Sequence, residues 1–218
     1  MKEKFMNGLL TLVVVLMMQL LWWFGIHGPN VMGAVTSPFM TKMMAQNLAF
    51  YQAGEGVTAS GVFYTPGSQY SIISGPFGSC WFSPSGSGIT MGLIIAVMLF
   101  SKRDDFKAIA KLDIPCGIFN INEPIIFDIP MVMNALFAVP FFLAPIACVC
   151  CGYLVQSMGL CPLFVIDVPW TTPVGLFGFL ASSGNIMGAI WQAVIILGVS
   201  TLIYTPFVIA SNRQTEEA

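Results

Sequence analysis

Long uncharged stretches, separated by short clusters of charge, set the pattern of this chain. Residues 8–26, 131–155 and 187–210 each approach the ~20 mostly apolar residues that a helix needs to cross a bilayer. A fourth apolar stretch, 89–100, is short but extends backwards through Gly/Ser-rich sequence. Between these lie segments with few charges, broken by Pro and Gly. The first, 28–87, is semi-polar and carries Gly-Pro, Ser-Pro and Thr-Pro-Gly breaks, with 41–48 polar enough to be interfacial. The others, 113–130 and 159–183, are apolar overall, interrupted by prolines, and hold polar residues. Proline removes a backbone donor, and irregular backbone survives in a membrane only where protein or a water-filled cavity satisfies it. Both are therefore expected to be re-entrant hairpins lining a cavity, the kind of segment that points to a transporter's binding site. The expectation is an all-α, polytopic integral membrane bundle with re-entrant hairpins, forming one domain over residues 1–218.

Charge refines this picture. Lys2 and Lys4 precede the first stretch, Lys102, Arg103, Lys107 and Lys111 cluster in one segment, and Arg213 lies in the tail. Basic residues favour the cytoplasmic side, so both ends and a 102–111 loop are expected inside, with two crossings on each side of that loop. Hydrophobic residues make up 56% of the chain and charged residues 8%, against roughly 25% charged in a soluble domain. So few charges cannot cover a watery exterior, and lipid is the expected solvent for much of it. A net charge of −2 provides no basic stripe for nucleic acid. Cys80, Cys116, Cys148, Cys150, Cys151 and Cys161 stand far in sequence from the single histidine, and the one C-x-x-C spacing, Cys148 to Cys151, lies inside an apolar run. They read as small apolar side chains, with no zinc site, disulfide framework or cofactor expected. The uncharged run 5–26 is too long for a signal-peptide core and no A-x-A-like site follows it, so it reads as a retained span.

Asp113, Glu123, Asp128 and Asp167 lie in or beside apolar sequence. A charged group at the bilayer centre costs about 2.5–3.5 kcal/mol on insertion scales, so such groups face a cavity or a partner. Glu123 follows Asn120 and Asn122 and precedes Pro124, a set of donors and acceptors at a proline break that suits a polyol. The other role open to Glu123 is to brace the hairpin as a paired or protonated carboxylate. Asp113 and Asp167 are expected at the two membrane surfaces, and Asp128 at the hairpin cap or near water. His27 ends the first span between glycines, as a sugar ligand or as an interfacial residue. Trp22 and Trp23 read as an aromatic belt, and Trp170 as a stacking or a packing residue.

Four stretches together resemble one family. Phe24-Gly25-Ile26-His27-Gly28 is similar to its FGIHG motif, and Ser87-Gly88-Ile89-Thr90-Met91-Gly92-Leu93 to a Gly/Ser-rich helix entry. Pro115 to Phe127 is very similar to its signature GIFNINEPVIFG, and Pro169-Trp170-Thr171-Thr172-Pro173 matches its PWTTP. The resemblance, in order and spacing, runs from Leu20 to Tyr204 and is to the enzyme IIC component of bacterial phosphotransferase systems of the lactose/cellobiose (N,N'-diacetylchitobiose) type. It implies the fold of the enzyme IIC transport domain and a multi-pass permease of the cytoplasmic (inner) membrane. It further implies a β-linked disaccharide substrate, phosphorylated by a cysteine-phosphorylated IIB subunit that is supplied through IIA. The sugar-site roles it implies fall on His27, Asn122 and Glu123, with Gly28, Asn120 and Trp170 as further candidates. No IIB-like phosphocysteine motif is present, so the chain is expected to bind and translocate sugar without being phosphorylated itself, and no catalytic residue is assigned.

Asp128 stands where the family usually has Gly, and Ala135 where it usually has Pro. A full enzyme IIC is about twice this length, so an N-terminal interface half is expected to be missing, with a split permease, a homodimer or a non-transporting fragment as the alternatives. A membrane hydrolase using Glu123 and His27 would lack a nucleophile motif and a metal cluster.

Overall fold

The computed structural model describes the backbone of residues 2–129, 131 and 133–216 and the side chains of 8–129, 131 and 133–212. Lys2, Lys4 and Arg213, on which part of the charge argument rests, have side chains outside the described residues. The elements run α1 (Lys2–Trp23), α2 (Gly28–Gln52), a ribbon of β1 (Val57–Thr58) and β2 (Gly61–Val62), α3 (Gly75–Trp81), α4 (Met91–Phe100), α5 (Asp104–Ile118) and α6 (Glu123–Asp128). They continue with α7 (Ala135–Ser157), α8 (Leu176–Ala181), α9 (Ile186–Ala193), a π-helical stretch (Val194–Val199) and α10 (Ser200–Glu216). The ribbon is antiparallel, with Val57 opposite Val62 and Thr58 opposite Gly61.

Among the described residues two helices are long and apolar enough to cross a membrane, Ala135–Ser157 and Ile186–Asn212. Gly8–Trp23 and Met91–Phe100 are apolar but shorter than a full span. The two long rods organise two hydrophobic cores. Cys148 and Val149 of α7 pack with Val15 of α1, Phe77 and Trp81 of α3 and Ile196 of the π-helical stretch. Nearer the start of α7, Phe137, Phe141 and Ala144 pack with Leu93 of α4, Phe106 of α5, Ile125 of α6 and Tyr204 of α10. Small residues allow the closest crossings, as expected where helices associate without a hydrophobic driving force. Gly152 lies under the Trp81 ring, and Gly92 lies against Ser200 with no room for a Cβ.

Two expectations need correction. The 28–87 segment is not irregular throughout, because its first 25 residues form α2. Pro29 sits in the first turn, where its missing N–H costs nothing. The 102–111 segment is largely helix: Asp104 and Asp105 occupy the first turn of α5, where negative charge suits the helix dipole. Arg103 bonds Asp105 at 3.1 and 2.5 Å, lowering that carboxyl from its ordinary value, and lies over the Phe106 ring. Asp113 is buried within the protein, because it shares one helical face with Phe106, Ala110 and Gly117.

The second hairpin, 159–183, shows how irregular backbone is carried inside the bundle. Leu163 N–H donates to the Val62 carbonyl at 2.8 Å, and Val165 and Ile166 N–H both donate to the Ala181 carbonyl. Buried amides on the long rods do the rest. Gln156 donates to the Pro162 carbonyl, and Gln192 Oε1 accepts from both Gly175 and Gly178 N–H, all at 2.8 Å. The fully buried Gln192→Leu variant leaves two backbone donors unpaired, each worth about 1–3 kcal/mol. The expected result is a clearly lower melting temperature in detergent, whereas Gln192→Glu, which keeps the acceptor, stays closer to the parent. Equal melting of the Leu variant and the parent would contradict this role.

Candidate functional site

Two helix-to-helix corners build the site, and the same six-residue pattern writes both. At the first, α1 stops in a Schellman turn: Ile26 N–H donates to the Leu21 carbonyl at 2.9 Å and Gly25 N–H to Trp22 at 2.8 Å, with Gly25 at φ +77°. His27 is then the N-cap of α2, its Nδ1 accepting from Asn30 N–H at 3.2 Å. At the second corner, α5 stops in the same way. Ile121 N–H donates to Cys116 at 3.0 Å and Asn120 N–H to Gly117 at 3.1 Å, with Asn120 at φ +66°. Asn122 is the N-cap position of α6, followed by Glu123 and Pro124. Phe24-Gly25-Ile26-His27-Gly28-Pro29 and Phe119-Asn120-Ile121-Asn122-Glu123-Pro124 thus place equivalent residues in equivalent roles.

The corners meet beside a cavity of about 490 Å³, a size within the roughly 300–1,000 Å³ of small-molecule sites. His27 Nε2 lies 3.8 Å from Glu123 Oε1, with both side chains half-exposed to the cavity. Because Nδ1 accepts the α2 cap bond, the ring proton sits on Nε2, on the side of the carboxylate. The pair therefore offers one directed donor and a set of carboxylate acceptors, separated by a gap that a hydroxyl can bridge. Glu123 Oε2 also accepts from Asn122 N–H at 3.2 Å.

The structure brings His27, Asn120, Asn122, Glu123 and Trp170 together at one cavity wall. Asn122 is buried and donates to the Ser87 carbonyl at 2.6 Å, wedged so closely against Gly86 that a Cβ there would overlap its amide. Asn120 is likewise buried, with its amide engaged by the surrounding backbone. Trp170 is exposed at 61% and lines the cavity. Gly28 does not line it; it packs against the Met18 carbonyl, where a side chain would collide. Asp128 and Asp167 are exposed and lie outside the lining.

Several lining residues escaped the sequence reading. Trp22 is not part of an aromatic belt: it is 4% exposed, its ring centroid is 5.0 Å from that of His27, and it lines the cavity. Its position five residues before His27, inside the last turn of α1, was the available signal. Ser79, Ser83 and Ser87 add hydroxyls from α3 and the glycine-rich turn after it. Nothing in their local sequence separates them from other small residues of a helix contact. Among the described residues no group of three or more His, Cys, Asp or Glu side chains is placed to hold a metal ion.

Comparison with known proteins adds an independent line. The chain is 35% identical to the cellobiose-specific EIIC component of the phosphotransferase system of Lactococcus lactis subsp. lactis, over 94% of this chain and 43% of that protein. It is 35% identical to the oligo-beta-mannoside-specific EIIC component of Bacillus subtilis, over 93% and 43%. The chain therefore spans less than half the length of these relatives. Among solved structures it is similar to the transporter ChbC, the IIC component of the N,N'-diacetylchitobiose-specific system, with a TM-score of 0.84 and 33% identity over 95% of this chain and 46% of that one. The profile of the family described as "Phosphotransferase system, EIIC" matches residues 4–145. With that match and this fold, the chain belongs to the phosphotransferase system EIIC family of membrane permeases.

Proposed function

We propose that this chain is the sugar-binding, membrane-embedded part of a phosphoenolpyruvate-dependent phosphotransferase permease, and that its substrate is a β-linked disaccharide of the cellobiose or chitobiose type. The observation that carries the reading is the His27–Glu123 pair, set 3.8 Å apart on the wall of a saccharide-sized cavity. A carboxylate in a re-entrant hairpin is tolerated when it faces such a cavity, and here it comes with amides, serine hydroxyls and indole rings. That mixture suits a ligand with apolar ring faces and a rim of hydroxyls. The names of the similar proteins, which specify cellobiose, oligo-beta-mannoside and diacetylchitobiose, support the class.

In this reading Glu123 accepts from sugar hydroxyls, His27 Nε2–H donates to one, and Trp170 covers a ring face at the cavity edge. The bound sugar is then phosphorylated by a IIB subunit charged through IIA, and the chain itself carries no phosphoryl group. The protein is multi-pass in the cytoplasmic membrane, with Lys102, Arg103, Lys107 and Lys111 on the cytoplasmic side. Transport is tested by phosphoenolpyruvate-dependent uptake of labelled cellobiose and diacetylchitobiose in cells lacking their own permease, with and without the N-terminal half of a similar EIIC protein. Uptake in either arm supports the reading, and rescue only by the added half identifies a split system. No uptake in either arm counts against transport by this chain.

Two substitutions test the site by equilibrium binding. A hydrogen bond to a charged group is worth about 1.5–3 kcal/mol, so Glu123→Gln is expected to weaken disaccharide binding about 10- to 100-fold. Unchanged affinity would remove Glu123 from the site. His27→Asn keeps a strong N-cap for α2 while deleting Nε2. It is expected to melt with the parent and yet to lose affinity about tenfold. Parent-like binding by this variant would assign His27 to capping alone.

A further inference from the structure

The two corners differ at one position in a way the backbone does not require. Each needs a residue in the left-handed region to end its first helix, and glycine fills that place at Gly25. The second corner uses Asn120 instead, at φ +66°. Asparagine tolerates this conformation, so the exchange keeps the corner and adds an amide. All of that amide is used. Its Oδ1 accepts from Ser85 N–H at 2.5 Å, and its Nδ2 donates to the Trp170 carbonyl at 2.5 Å and the Thr172 carbonyl at 2.8 Å. The side chain therefore meets three backbone groups that the sequence separates by 35 to 52 residues.

These partners belong to two segments that line the cavity. Ser85 belongs to the turn that carries Gly86 and Ser87, and Trp170 and Thr172 belong to the Pro169–Thr172 turn, closed by Thr172 N–H on the Pro169 carbonyl at 2.9 Å. Trp170 is mostly exposed, and its neighbours Pro169, Thr171 and Thr172 are exposed or half-buried. The bond from Asn120 is a tether running from the hairpin that carries Glu123 to the segment that carries Trp170.

We propose that Asn120 is not a sugar ligand but the positioning residue that fixes Trp170 and the glycine-rich turn relative to Glu123, so that a ring-stacking face and a hydroxyl-binding group keep a set separation. This rests on reading the cavity as a disaccharide site. The chemistry asks for asparagine in particular. Aspartate offers acceptors alone, and glycine meets the backbone requirement but reaches nothing. A disaccharide spans both anchors, so a loosened Trp170 costs affinity although no group that touches sugar has changed.

The variant Asn120→Gly preserves the left-handed position and deletes the tether. It is expected to weaken disaccharide binding about 10- to 100-fold. Trp170→Ala, which removes the stacking ring, is the control. Where Asn120 works through the Trp170 ring, the double variant Asn120→Gly/Trp170→Ala binds within about twofold of Trp170→Ala alone, as coupled sites do. Losses that multiply in the double variant, or parent-like binding by Asn120→Gly, would overturn the proposal. Asn120→Asp, which turns the two donors against two carbonyls, is expected to fall with Asn120→Gly; parent-like affinity there would also overturn it. Amide hydrogen exchange tests the tether without sugar: Asn120→Gly speeds exchange at Ser85 and across 170–172, and unchanged exchange refutes the tether. A parent chain that binds no disaccharide, while exchange responds as stated, would defeat the sugar reading and leave the tether standing.

Discussion

Backbone N–H and C=O groups inside a bilayer have no water to turn to, and every departure from helix must be satisfied by the protein itself. This chain departs from helix at the places that make its cavity, and it answers with side-chain amides. Gln156 and Gln192 hold the extended part of the second hairpin, and Asn120 and Asn122 hold the first against the glycine-rich turn. Farther out, Asn47 both donates to and accepts from the backbone of Ser71, at 2.8 and 2.9 Å. An amide carries two donors and an acceptor without charge, which makes it the least costly way to close such gaps.

The same constraint shapes the site. A helix that ends inside the bundle leaves orphan carbonyls, and the next helix begins with orphan N–H groups. Schellman turns settle the carbonyls at 24–27 and again at 119–122, and His27 caps the N–H groups of α2, whereas Asn122 stands at the N-cap position of α6 with its amide committed to the Ser87 carbonyl. Both corners place a polar residue at the tip and project it into the cavity. His27 does double duty, with one ring nitrogen on the α2 backbone and the other towards Glu123. The glycine-rich turn can approach because Gly86 has no side chain to collide with Asn122.

Much of this was legible in the residues. The long rods followed from apolar run length, and the two hairpins from proline in largely apolar sequence. Glu123 and His27 stood out as polar groups where burial is expensive, and they lie together. Other features depend on contacts that no local pattern records. Trp22 looked like an interfacial ring because it neighbours Trp23, but the α1–α2 corner turns it inward. Asp113 follows a run of charges that gave no sign of a packed side chain, and its spacing from Phe106 and Ala110 puts it on the inner face of α5. Helix α2 was missed because Gly-Pro and Ser-Pro pairs read as breaks, whereas Pro29 starts the helix and Pro38 is carried inside it. The echo between residues 24–29 and 119–124 was present in the sequence and became meaningful only once both segments proved to be corners.

The central claim is that the cavity between the two corners is where a disaccharide sits, held by Glu123. Ser83 lines that cavity and takes no part in the tether. A Ser83→Cys variant, treated with a small charged thiol reagent and compared with the parent to account for the native cysteines, reports on it directly. The account predicts that modification at position 83 is fast, that cellobiose or diacetylchitobiose slows it, and that adding Glu123→Gln abolishes the protection. A modification rate that no disaccharide alters would contradict it.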